Sequence, residues 1–479
     1  MFFNSIDFLI FLPLVFIIYW FFLNKNLKSQ NFFIVAASYV FYGWWDWRFL
    51  SLIAFSSLVD FLVGIGLSKT ENIKKRKLYL WISILVNLGL LGFFKYYNFF
   101  IENFAQAFTL LGKHIEPHRL NIILPVGISF YTFQTLSYSI DIYKRKLQPT
   151  RDFIAFAAFV SFFPQLVAGP IERAKHLLPQ FYSKRIFEYH MAVDGIRQIL
   201  WGLFKKIVIA DNCAEYANQI FNHSGEYNGS TLLLGALFFT FQIYGDFSGY
   251  SDIAIGTSRL FGFNLMQNFA FPYFSRDIAE FWRRWHISLS TWFRDYLYIP
   301  LGGSRGGNWM KIRNTFIIFI VSGFWHGANW TFIFWGVLNA IYFLPLLLTN
   351  RNRRNIDIVA RNRIIPNIRD ILNITLTFSL TLFAWIFFRS ESINQAFYIL
   401  RQIFSLSLFR KLEIFPYTLF FLLLTFIFTE WIGRKNQYAI QKIYSKYDWI
   451  NYLLVSLVFL IIYFFGNFAS KYDFIYFQF

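Results

Sequence analysis

Apolar runs of 17 residues or more recur from one end of this chain to the other, each followed by a short, often basic, polar stretch. A hydrocarbon layer about 30 Å thick needs about 20 residues of helix to cross it. On that measure the pattern predicts helical spans near 6–23, 31–48, 50–67, 78–94, 122–140, 192–210, 231–250, 314–332, 334–349, 371–388, 415–432 and 450–467. The run over 153–169 is equally apolar, but basic residues flank both of its sides and Pro164 and Pro170 interrupt its end. A re-entrant hairpin is expected there, because irregular backbone at membrane depth is tolerated only when protein surrounds it. The expected fold class is therefore all-α: a polytopic transmembrane bundle of about twelve spans, with one integral membrane domain over 1–479.

Composition agrees with this pattern. Hydrophobic residues make up 56% of 479 positions, charged residues 15%, and the mean hydropathy is +0.43. A soluble chain of this length needs more polar surface to cover itself. The net charge of +19 comes from Lys and Arg clustered in short loops, the distribution of a membrane protein's cytoplasmic side rather than of a nucleic-acid binder. The segments 24–30, 68–77, 141–152, 351–369 and 433–446 are basic and are expected in the cytoplasm. The segment 211–230 carries Asp211, Glu215 and Glu226 without Lys or Arg, and is expected outside. Twelve spans with both termini outside satisfy nearly every loop; 389–413, assigned outside with a slight basic excess, is the exception. The first run lacks a basic leader and a small-x-small cleavage site, so it reads as an uncleaved span rather than a signal peptide. The single Cys213 excludes an intrachain disulfide.

Few residues carry chemistry. Of seven histidines, His114 and His118 have the spacing of a metal pair, but Pro117 lies between them and no third ligand follows; no metal is predicted. His326 lies in Ile317-Ile-Phe-Ile-Val-Ser-Gly-Phe-Trp-His-Gly-Ala-Asn-Trp330, well inside a predicted span. Ionisable groups at that depth are costly and are functional candidates. A structural histidine bonded to a neighbouring helix is the competing reading. Burial would keep the imidazole neutral, as a general base for a hydroxyl requires. Gly323 and Gly327 beside it allow a second backbone or a slender substrate to approach.

A second constellation is Phe281-Trp-Arg-Arg-Trp-His-Ile-Ser-Leu-Ser-Thr-Trp-Phe-Arg-Asp-Tyr296. As one continuous helix it places Trp282, Trp285, Leu289, Trp292, Phe293 and Tyr296 on a single apolar stripe. His286, Arg283, Ser290 and Arg294 flank that stripe. This predicts an amphipathic helix at the cytoplasmic interface, with the arginines as candidate contacts for the anionic groups of a phosphorylated carrier. Anchoring alone explains the tryptophans but does not require the histidine. Asp246 and Asp252, at the polar end of a span, need partners; pairing with the lysines of Leu203-Phe-Lys-Lys-Ile-Val208 is the expected reading, and a catalytic role is the competing one. Phosphate loops, a Gly-x-Ser-x-Gly elbow and Asp-x-Asp spacing are all missing.

The motifs Arg284-Trp-His-Ile-Ser-Leu-Ser290 and Phe324-Trp-His-Gly-Ala-Asn-Trp330 resemble those of the membrane-bound O-acyltransferase family. Ala168-Gly-Pro-Ile-Glu-Arg173, Gly202-Leu-Phe-Lys-Lys206, Asp246-Phe-Ser-Gly-Tyr-Ser-Asp252 and Tyr298-Ile-Pro-Leu-Gly-Gly303 narrow the resemblance to the bacterial branch that modifies alginate, peptidoglycan or teichoic acid. It is densest over 164–336. The resemblance implies a helical bundle around a membrane-crossing tunnel in a bacterial inner membrane. It implies His326 as the catalytic histidine and His286 as its partner near the cytoplasmic side. Arg283, Arg294, Ser290, Trp325 and Asn329 are the expected substrate- and donor-binding residues. It further implies an acyl thioester such as acetyl-CoA as donor, with no tightly bound cofactor. The implied acceptor is an extracytoplasmic polysaccharide, reached through a second extracytoplasmic transferase. A tunnel also has a physical reason: a polyanionic coenzyme A thioester cannot cross lipid, whereas its acyl group can pass between helices. The competing class, a secondary transporter or lipid-linked-sugar flippase, calls for an internal repeat that this chain lacks. Lastly, 474–479 (Phe-Ile-Tyr-Phe-Gln-Phe) is too apolar for a solvated tail. It is expected to bury itself, in the bundle's outer mouth or against a partner, with Tyr476 as a candidate acyl relay and an interfacial aromatic anchor as the competing reading.

Overall fold

Helix starts in this chain are marked by short polar side chains that take up otherwise unpaired backbone N–H groups. Asn26 accepts from Lys28 and Ser29, Asn72 from Lys74 and Lys75, and Asn367 from Asp370. The computed structural model describes residues 1–167, 169–442, 448–468 and 474–475. Among the described residues it contains helices and connecting turns but no strand. A helix overlaps each of the twelve predicted spans. Among the described residues, five helical stretches have by themselves the length and apolarity to cross a membrane: Leu27–Ser68, Ile73–Leu110, Gly229–Leu260, Trp330–Leu348 and Ile368–Arg389. Shorter apolar helices cover Ile6–Phe22, Tyr417–Gly433 and Tyr452–Phe465. The chain is a multi-pass membrane protein.

The backbone divides into two compact units. The first comprises Met1–Ala192 with Ser258–Leu265. Its helices are joined by buried polar contacts. Asp60 Oδ1 accepts from Ser83 (2.5 Å) and Ser139 (2.7 Å), and Oδ2 accepts from Asn87 (2.7 Å). Hydrogen bonds of this kind link helices where apolar packing gains nothing over lipid. The apolar run at 153–169 is a helix over Phe153–Ser161, a break at Phe162, and one further turn over Phe163–Leu166. Residues 155–167 are buried. The carbonyl of Phe159, near the end of that short helix, accepts from both Gln134 (2.7 Å) and Gln165 (2.8 Å). The break is enclosed by protein and the carbonyl at the helix end is satisfied, as irregular backbone within an apolar run requires.

The second unit comprises Val193–Thr257 and Met266–Phe479. Its long helix, Gly229–Leu260, continues through the polar Asp246–Asp252 stretch instead of ending near 250. It stays helical because the polar groups find partners: Lys205 Nζ lies 2.5 Å from Asp252, and Lys206 Nζ lies 2.8 Å from both Asp246 and Asp211. The predicted pairing is present. A π-helical stretch over Phe204–Ala210 carries both lysines inward, and each is under 5% exposed. Close approach of the backbones also matters, since a Cβ on Gly249 would lie 2.8 Å from the Gly202 carbonyl. The acid-rich segment expected to be a loop is largely a helix, Asp211–Asn222, and Cys213 is buried within it. Arg389, in the segment whose charge did not fit, donates to Asn218 (2.9 Å) and Asn222 (3.0 Å) of that helix, so the two segments lie on one side.

Candidate active site

The stretch 281–296 is not one continuous amphipathic helix. It forms two short helices, Ile278–Arg284 and Ile287–Phe293, broken at Trp285 and His286. His286 takes the left-handed conformation (φ 43°), an uncommon one for a residue with a side chain. A single residue, Asn268, holds the break. Its carbonyl accepts from the Ile287 N–H (2.9 Å), and its side-chain Oδ1 accepts from the Ser288 N–H (3.3 Å) and Ser288 Oγ (2.9 Å). That same Oδ1 lies 3.1 Å from His286 Nδ1. A backbone N–H can only donate, so the atom facing Ser288 must be the amide oxygen, and Nδ1 of His286 must carry the proton it shares. The second ring nitrogen, Nε2, is then the basic one. The aromatic stripe therefore faces protein rather than lipid: Trp285, Leu289, Trp292 and Phe293 are buried, and so is His286. Burial outside the spanning helices pushes the His286 pKa down to about 3, which keeps the ring neutral.

His326 is the last residue of the helix Asn308–His326, not an interior residue of a longer span. Gly327 is extended and ends the helix, and the next helix starts at Trp330 with Asn329 as its cap. The sequence run 317–330, which reads as one apolar segment, is thus a helix end, a Gly-Ala-Asn turn and a new helix start. His326 is nonetheless buried, with Trp325, Trp335 and Phe388 ring centroids at 5.0, 5.2 and 5.2 Å. The Trp325 ring also lies 6.1 Å from His286, so one indole touches both imidazoles. The glycines serve packing: a Cβ on Gly323 would come 2.2 Å from the Phe332 carbonyl, and one on Gly327 the same distance from the Phe332 ring.

The other predicted binding residues separate. Ser290 and Arg294 line a cavity of about 250 Å³, together with Trp282, Phe319, Ser322 and Arg353. Its aromatic wall reaches His326 in two steps, Trp282 to Trp335 (5.7 Å) and Trp335 to His326. Arg283 instead donates to the carbonyls of Asn352 and Asn355, both at 2.7 Å, and pins that loop. Asn329 is taken up structurally, accepting from Thr331 N and donating to the Glu391 carbonyl (3.1 Å). His114 and His118 lie in an exposed, non-helical stretch. Among the described residues no group of three metal-ligating side chains converges.

Phe474 and Ile475 are buried, as expected of this tail. The Ile475 N–H donates to Asp246 Oδ2 (2.7 Å), and Phe474 packs on Phe247 (5.7 Å) and Tyr250 (4.6 Å). Phe247 in turn touches His286 at 4.6 Å, so Phe474 comes within one ring of that histidine. Tyr476 lies outside the described residues. Asn268 escaped sequence reading because nothing in Phe263-Asn-Leu-Met-Gln-Asn-Phe269 marks one amide from another. Neither did the sequence mark the Tyr244–Glu430 contact (2.5 Å) beside the Lys205 pair, which joins positions 186 residues apart.

The model of the MBOAT (membrane-bound O-acyltransferase) family matches residues 144–387, which hold both histidines, Asn268 and the cavity. A probable alginate O-acetylase of Azotobacter vinelandii is 38% identical over 446 residues, 91% of this chain and 85% of that protein. A peptidoglycan O-acetyltransferase of Helicobacter pylori is 36% identical over 409 residues, 80% of this chain and 75% of that protein. A teichoic acid D-alanyltransferase of Streptococcus thermophilus is 31% identical over 263 residues, 51% of this chain and 62% of that protein.

Proposed function

This chain belongs to the membrane-bound O-acyltransferase family, and from that premise we propose that it transfers an acetyl group from a cytosolic thioester to hydroxyls of an extracytoplasmic polysaccharide, with His326 as general base. The observation that carries the reading is the pair of buried histidines that both neighbour the Trp325 ring, with ring centroids 6.1 and 5.0 Å from it, inside the matched segment. Relatives named for acetylating alginate and peptidoglycan favour acetyl and a polysaccharide acceptor.

Neutral His326 takes the proton of the acceptor hydroxyl as its oxygen attacks the thioester carbonyl. The carbon–oxygen bond forms, the carbon–sulfur bond breaks, and the imidazolium returns its proton to the departing thiolate. Base catalysis of this kind contributes about 10²- to 10⁴-fold. His286, neutral and presenting Nε2, supports the donor side. The 250 Å³ cavity takes the donor's slender arm between Trp282 and Phe319, and Arg294 and Arg353 meet its phosphates. No cofactor is held tightly; the thioester, acetyl-CoA or a related carrier, is a substrate. In a bacterial inner membrane with both termini outside, this cavity opens to the cytoplasm, and a second extracytoplasmic transferase completes delivery to the polymer.

Purified protein is expected to release free thiol from acetyl-CoA in the presence of an acceptor, and a preparation that transports but releases none overturns the reading. Arg294→Ala and Arg353→Ala are each expected to raise KM for the thioester about tenfold with kcat near the parent's, the mark of lost ground-state binding; unchanged KM in both removes the cavity from the donor path. The tail, with Tyr476 as relay, serves the outward step. Deleting residues 476–479, which keeps the contacts of Phe474 and Ile475 with Phe247 and Asp246, is expected to leave thiol release largely intact while polymer acetylation in cells falls; a normal rate of polymer acetylation would leave the tail an anchor.

A further inference from the structure

Arg185 is 6% exposed, yet among the described residues no carboxylate pairs with it. Its hydrogen bonds run to neutral groups: Asn31 Oδ1 at 2.7 Å, and Gln30 Oε1 and the Gln180 carbonyl both at 3.4 Å. Three aromatic rings surround the guanidinium, with Phe263 at 4.8 Å, Tyr19 at 5.7 Å and Phe181 at 6.0 Å. Nε is buried without a hydrogen-bond partner. A guanidinium withdrawn from water onto neutral partners retains an uncompensated charge, which favours an anion from outside the protein.

Arg185 also lines a groove of about 740 Å³ within the first unit. Apart from the neutral Asn24, the rest of its lining has two kinds of side chain. Lys25 and Lys184 supply two more positive charges, while Phe16, Trp20, Phe21, Ile186 and Phe187 are apolar. Phe21 is 74% exposed, Ile186 72% and Phe187 44%. The groove lies where the first apolar helix, Ile6–Ile17 with its continuation Ile18–Phe22, gives way to a polar turn. A soluble phosphate would use the cations and leave the aromatic rim in water. A lipid with an anionic headgroup uses both, the phosphate meeting the three cations and the first carbons of its chains covering the rim.

We propose that this groove is a binding site for an anionic phospholipid, with Arg185, Lys25 and Lys184 on the phosphate and Phe16, Phe21 and Phe187 along the acyl chains. The site lies outside the candidate active site and does not depend on its chemistry.

The test places the full chain in nanodiscs of phosphatidylcholine alone or of phosphatidylcholine with phosphatidylglycerol, and follows thermal unfolding. Phosphatidylglycerol is expected to raise the unfolding temperature of the parent by about 5 °C. In Lys25→Gln/Lys184→Gln, which leaves the buried Arg185 network intact, most of that rise should vanish. The control Lys74→Gln/Lys75→Gln removes equal charge from exposed positions elsewhere in the first unit and should keep the rise. An equal rise in the groove variant and the parent overturns the proposal, as does a rise lost equally in the control, which would mean surface charge alone. Glycerol phosphate in detergent, reproducing the full shift without a lipid chain, would make this a soluble-anion site and also overturn it.

Discussion

Replacing His326 with alanine is expected to lower acyl transfer by at least about 10²-fold, the contribution of a positioned general base. Few other residues of the chain can do this work from the same place. The ring stands at a helix end with Trp325, Trp335 and Phe388 about it. Those neighbours exclude water but offer no base of their own. Because the aromatic enclosure packs on the imidazole, the substitution also opens a cavity, so activity must be read against folding. Thiol release from acetyl-CoA and polymer acetylation are therefore measured on protein shown by its level in the membrane and its unfolding temperature to be inserted and intact. His326→Gln, closer in volume, separates lost base from lost packing: both variants are expected to be inactive, with His326→Gln nearer the parent in stability. Substantial turnover by either intact variant would sink the assignment.

The membrane fold was legible because lipid leaves the sequence so few options. Backbone polar groups at depth must be satisfied within the helix, so long apolar runs can only be helices. Each of the twelve predicted spans does overlap a helix. The Lys205–Asp252 and Lys206–Asp246 pairs were legible for the same reason, since charges in an apolar segment must find each other. Helix ends were not. Hydropathy does not distinguish Phe324-Trp-His326 from Gly327-Ala-Asn329, and only backbone geometry reveals that the helix stops between them. Charge patterning likewise grouped Arg283 with Arg294, although the first pins a loop and the second lines the cavity. Whether an exposed-looking arginine meets a ligand or a carbonyl depends on chain more than 60 residues away, about which local pattern says nothing.

The break at His286 exposes the same gap between local pattern and tertiary context. Residues 281–296 have the spacing of an amphipathic helix, and helical propensity offers no reason to interrupt it. Asn268 overrides that preference by capping the second helix with its carbonyl and its amide at once. The uncommon backbone of His286 carries a cost of about 1 kcal/mol or more, which the surrounding contacts must offset. In return the ring is turned inward against Phe247 and Trp325 rather than lying on the flank of a surface helix.

Asn268→Asp is expected to change the pH dependence of transfer, and this provides the sharpest test of the paired-histidine site. The carboxylate keeps the shape of the amide. One oxygen still accepts from Ser288 N–H and His286 Nδ1–H, and the other faces Ser251 Oγ, a hydroxyl that can donate where it now accepts from Asn268 Nδ2 (3.1 Å). What changes is charge. In the parent, burial holds the His286 pKa near 3, so the ring stays neutral across the working range. A carboxylate in contact stabilises the imidazolium and raises that pKa. A ring with a raised pKa is protonated below it and neutral only above it, so activity should fall at low pH and recover as pH rises. The acid limb of the rate profile should therefore move toward neutrality in Asn268→Asp. Asn268→Leu removes the acceptor without adding charge. It should lose at least about tenfold in rate at every pH, the consequence of roughly 1.4 kcal/mol for one buried hydrogen bond, with the shape of the profile unchanged. A merely structural asparagine would lower activity in both variants without moving the limb. Superimposable profiles for Asn268→Asp and the parent would remove His286 protonation from the mechanism.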